Sequence, residues 1–154
     1  MNELIQKIAR LFCGHANLDN PPSSSDIVSR DALYYMENVD KIVIDLNGLP
    51  FLHKVWMPSI PDTNSMIPTF DVGHNNILVA GIDKREQKKL VDFLKVGHIA
   101  VYQNDYGKVI HRIVKIEHDE IGRKFTFRGD NCVIDDPCIV RDEHIKWISL
   151  GTIY

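Results

Sequence analysis

Cysteine is scarce in this 154-residue chain, which has only Cys13, Cys132 and Cys138. An odd count without the paired spacing of a metal motif argues against a disulfide framework or a zinc-ribbon unit. It reads as reduced thiols in a cytoplasmic protein, with a Cys132–Cys138 pairing as the one bridge left open. An excess of one charge is also missing. The 18 Lys and Arg against 21 Asp and Glu give a net charge of −3, which leaves no basic footprint for nucleic acid. No window approaches the roughly 18 apolar residues of a membrane-spanning helix. Met1–Gly14 is too short, and too broken by Glu3, Lys7 and Arg10, for a secretory signal. Internal repeats and low-complexity runs are absent. What is present is ordinary: 44% hydrophobic and 25% charged residues, enough for one domain with its own core.

In Met1–Gly14, Leu4, Ile5, Ile8, Leu11 and Phe12 recur at helical spacing, so an N-terminal amphipathic helix is expected, stopping at Gly14. It either docks on the domain or makes peripheral contact with a membrane surface. Asn20–Ser25 is a turn-rich linker, which divides the chain into a helix-and-linker segment (1–25) and a β domain (26–154). Ser25 or Asp26 caps a short expected helix through Met36. Lys41–Leu46, Asn47-Gly48 and Leu49–Trp56 read as a hairpin, with Pro50 marking an edge strand. Further strands are expected at 76–80, 98–103, 108–117 and 124–128, with one or two over 145–154, and a basic helix over 83–95. The fold class is therefore mainly β, built of several short antiparallel strands.

Three segments carry chemistry. Ser65 lies between turn-forming Asp62, Thr63 and Asn64 and the following Pro68. A serine hydroxyl needs a base within hydrogen-bond reach, and the base needs a third group to orient it. His111 sits in the alternating stretch Val109–Val114, and an imidazole suits the base because it takes up and returns a proton near neutrality. Asp130, Asp135 and Asp136 share one loop and offer carboxylates for the orienter. The bland readings are a loop serine, a packed histidine and a polar turn with local bonding. A hard-cation site is a further reading of the carboxylates, but the loop lacks the ligand alternation of a calcium loop. No metal and no other cofactor is expected.

Taken together, Ser65-Met66-Ile67-Pro68-Thr69-Phe70, Val96–Tyr102, Ile110-His111-Arg112-Ile113-Val114 and Phe127–Asn131 with Asp135-Asp136 resemble type I signal peptidases. The likeness is to the archaeal and endoplasmic-reticulum branch, in which histidine replaces a lysine base, and it covers roughly Pro61–Tyr154. The resemblance implies the β-fold shared with the self-cleaving SOS repressors, whose Ser-Lys pair is not matched here. It implies Ser65 as nucleophile, His111 as base, Asp136 as the acid of the triad and Asp130 as a supporting carboxylate. The Ser65 N–H and the Thr63 hydroxyl would form the oxyanion hole. Met66, Ile67 and Pro68 are candidate substrate-binding residues, for a polypeptide bound as an added strand and cut after a small residue. The chain reads Thr63-Asn64-Ser65-Met66 where the family usually reads Ser-Gly-Ser-Met, and Gly73-His74 and Gly97-His98 where Gly-Asp is usual. Family members are tethered in the membrane, so the lack of a span implies a soluble relative. The expected function is a serine endopeptidase. Alternatives are a self-processing regulatory protease of the repressor type and a silent peptide-binding module of the same fold.

Overall fold

The computed structural model describes residues 44–153. The expected helix over 1–14, the linker, the helix ending at Met36 and Cys13 lie outside the described residues. The described chain is mainly β. The strands are β1 (His53–Trp56), β2 (Asn75–Gly81), β3 (Ile99–Asn104), β4 (Gly107–Asp119), β5 (Gly122–Arg128) and β6 (Ile145–Ile153), with one helix, α1 (Lys84–Phe93). A 3-10 turn, Asp142–His144, precedes β6. The strands form one six-stranded sheet in the order β1-β2-β6-β3-β4-β5, with every neighbouring pair antiparallel.

Short turns fix the local pairings. Asn104 and Gly107 close the β3–β4 hairpin, and the Asn104 side chain accepts from Tyr106 N at 2.9 Å. Asp119 does the same for the β4–β5 turn, accepting from Ile121 N and Gly122 N. The hairpin expected about Asn47-Gly48 is described only in part, since residues 41–43 of its first strand lie outside the described residues. A turn forms there, with Leu49 N donating to Leu46 O at 3.1 Å, but no ladder follows between residues 44 and 52. Leu46, Leu49 and Phe51 instead pack on the core, and β1 pairs with β2. Among the described residues β1 ends the sheet, the edge position expected for this strand.

The core lies between one sheet face and α1 and contains Phe51, Val79, Leu90, Val91, Leu94, Ala100, Tyr102, Ile113, Phe125 and Phe127. Asp83 caps α1, its Oδ1 accepting from Glu86 N at 2.9 Å, a contact worth about 1 kcal/mol. Leu90 and Val91 form the buried stripe, while Lys84, Arg85 and Lys88 face solvent as expected of a basic exposed face. A second cluster, Ile60, Met66 and Phe70 with Ile99 and Ile110, anchors the Ser65 segment against the β3–β4 hairpin.

One feature of the sheet bears on the site. β4 pairs with β3 along Gly107–Arg112, but its pairing with β5 begins only at Arg112. Toward β5, the stretch Lys108–His111 therefore has no strand beside it among the described residues.

Candidate active site

The Ser65 segment is a tight turn, with Phe70 N donating to Met66 O at 3.2 Å. Side chains fan out around such a turn, so only some reach a common cleft. Ser65, Met66 and Phe70 line a cleft of about 470 Å³ with His111, Asp136 and the β3–β4 hairpin. Two of the candidate substrate-binding residues do not line it: Ile67 is buried within the protein and Pro68 points outward. The Ile67–Pro68 peptide is cis.

Asn64 shapes the backbone that leads into Ser65. Its φ of 55° lies in the left-handed region, which glycine adopts freely and asparagine tolerates better than most residues. The backbone before Ser65 is therefore of the kind that glycine would supply. Asn131 secures it, its N–H donating to Ser65 O at 2.9 Å and its side-chain amide to Asn64 O at 3.0 Å. Gly129 fills the narrowest point. A Cβ there would lie 2.5 Å from Ser65 O and 3.1 Å from His111 Nε2, so both groups close on the same spot and only glycine fits.

His111 is buried, and its Nδ1 lies 2.8 Å and 3.0 Å from the two Asp136 carboxylate oxygens. A carboxylate only accepts, so Nδ1 carries a proton, and in the neutral ring Nε2 is then the acceptor. Asp136 is itself placed by its N–H, which donates to Phe127 O at 2.8 Å, and it accepts the Tyr102 hydroxyl at 2.7 Å. The Ser65 hydroxyl is 3.2 Å from Thr63 Oγ1 and makes no hydrogen bond to His111. Nucleophile–base bonds are often long without substrate and tighten when it binds.

Asp130, expected as a supporting carboxylate, is held by Arg112 and Thr69. It does not bond His111. It accepts from Arg112 Nε at 2.7 Å and Nη2 at 2.6 Å, and from the Thr69 hydroxyl. Arg112 also donates to Gly97 O at 2.8 Å. The ion pair thus joins the Ser65 turn, the start of β3, β4 and the 129–136 loop. Burial works to raise the Asp130 pKa, but the Arg112 and Thr69 bonds outweigh it and hold the carboxyl below its usual range.

The loop carboxylates do not converge as a cation site would require. Asp130 serves Arg112, Asp136 serves His111, and Asp135 lies out beside Arg128 at 3.6 Å. Cys138 is a free thiol 3.4 Å from the Tyr102 hydroxyl, so it is not bridged to Cys132. The sequence reading missed the parts played by Tyr102, Arg112, Thr69 and Gly129. Arg112 follows His111 directly and Tyr102 stands in a family-like box, but each acts through a partner distant in sequence. No helix among the described residues is long and apolar enough to cross a membrane. Compared with known proteins, the chain matches no family model, no curated protein and no solved structure.

Proposed function

We propose that this chain is a serine endopeptidase in which Ser65 attacks, His111 acts as base and Asp136 orients the imidazole. The observation that carries the reading is the His111–Asp136 pair, which fixes the tautomer that leaves Nε2 free to take a proton, in the cleft that also holds Ser65. In the first step the Ser65 Oγ proton passes to His111 Nε2 as Oγ bonds to the scissile carbonyl carbon. The negative charge on the carbonyl oxygen is met by the Ser65 N–H and the Thr63 hydroxyl. Such donors lower the barrier by about 3 kcal/mol each when preorganised. His111 then gives its proton to the leaving amine as the C–N bond breaks, and water repeats the cycle on the acyl-enzyme.

The substrate is an extended polypeptide laid along Lys108–Ile110, where β4 lacks a neighbour on one side among the described residues. By resemblance to signal peptidases, it is cut after a small residue. A second reading, a peptide-binding module without turnover, is favoured by the Ser65 hydroxyl's bond to Thr63 rather than to His111. Mass spectrometry of a diverse peptide library incubated with wild type and Ser65→Ala separates the two. Cuts made by wild type alone support the peptidase. Peptides retained but uncut by both support the module, and equal cutting by both removes Ser65 from the chemistry.

A further inference from the structure

We propose that Tyr102 is a positioning residue for this site: its buried hydroxyl fixes the Asp136 carboxylate and, through it, the His111 ring. The inference rests on the peptidase reading above and adds a residue to it. Strand register creates the arrangement. Ala100 pairs with His111 and Tyr102 with Val109, so Tyr102 and His111 share a sheet face as diagonal neighbours. Ala100, fully buried and without bulk, leaves space opposite the imidazole.

The tyrosine ring is 2% exposed and lies 4.7 Å from the Phe127 ring, so the hydroxyl has little freedom to point elsewhere. It donates to Asp136 Oδ2 at 2.7 Å and accepts from the Cys138 thiol at 3.4 Å. Oδ2 is also the closer oxygen to His111 Nδ1, at 2.8 Å against 3.0 Å for Oδ1. Two nearly equivalent oxygens compete for one N–H, and the carboxylate could turn between them. The tyrosine donor removes that freedom by engaging Oδ2. Burial, and then the Asp136 charge, push the phenol above its ordinary range, so it remains a protonated donor wherever the protein is folded near neutrality.

The test is Tyr102→Phe, which keeps the ring and deletes the donor. The proton NMR resonance of His111 Nδ1–H, assigned by its loss in His111→Ala, reports the His–Asp pair without any need for turnover. The account expects this resonance to move or broaden in Tyr102→Phe while the backbone amide spectrum is retained. It also expects kcat on a cleaved peptide to fall about tenfold with KM within about twofold, since the lost bond acts on the chemical step. An unmoved resonance overturns the proposal, whether kcat is unchanged or falls only through loss of folded protein. Should Tyr102→Phe fail to fold, 3-fluorotyrosine at 102 keeps the hydroxyl as a stronger donor. The resonance must then shift, and constancy is again fatal. Ser65→Ala keeps the two claims apart. Turnover that survives in it sinks the peptidase reading, while the resonance still decides what Tyr102 does.

Discussion

Asn64, Gly129 and Asp136 each meet a local requirement that few residue types can satisfy. Asn64 holds a left-handed backbone just before Ser65. Asn64→Gly should therefore change stability by less than about 0.5 kcal/mol, whereas Asn64→Val should cost about 1–2 kcal/mol, as read by urea denaturation. Gly129 sets how closely Ser65 and His111 approach. In Gly129→Ala the new methyl would meet Ser65 O at 2.5 Å, so we expect kcat to fall more than tenfold with the secondary structure kept. Asp136→Asn replaces an acceptor-only group with an amide and allows the wrong histidine tautomer. Turnover should drop by on the order of a thousandfold or more while peptide binding persists.

The β3–β4 hairpin, β5 and α1 were legible in the sequence because their signals are local: alternation, Asn104–Gly107, and Asp83 before an apolar stripe. The partner of β1 was not. Asn47-Gly48 does make a turn, and the ladder described for β1 runs to β2, a pairing that depends on burying Phe51 and Val79 together. The site divides in the same way. Ser65, His111 and Asp136 could be picked out by a family-like pattern, but Tyr102 in an alternating strand reads simply as core. Asp130 was expected as a supporting carboxylate, but its partners Arg112 and Thr69 were hidden because those bonds depend on folding. The contact between α1 and the sheet was equally hidden. A Cβ on Gly81 would lie 2.1 Å from Gln87 N, and the Gln87 side chain bonds Gly81 N at 2.9 Å and Ile145 O at 3.1 Å. Gly81→Ala must push the helix away from β2 and β6, at a cost of about 1–3 kcal/mol or more in chemical denaturation.

Across the molecule, charge pairs tie loops to the sheet and make stability depend on acid. Arg141 bonds Asp119 and holds that carboxyl down to about 2. Asp130 is also lowered in the folded protein. A carboxyl whose folded pKa is depressed stabilises the fold above the ordinary carboxylate range, and that contribution disappears as pH falls through the folded value. Asp130→Asn should therefore lower Tm near neutrality, by the equivalent of about 1–2 kcal/mol. Its deficit relative to wild type should shrink as pH is lowered below 4, and a constant deficit would contradict the ionised pair.

The central claim is that Ser65 and His111 act as one unit. The most direct test is kcat/KM on a cleaved peptide for wild type, Ser65→Ala, His111→Ala and the double variant, with folding checked for each. We expect each single variant to lose at least about a thousandfold, and the double variant to be no worse than either, because removing one member already disables the unit. Turnover near the wild-type level in either single variant, or losses that multiply in the double variant, would contradict the account.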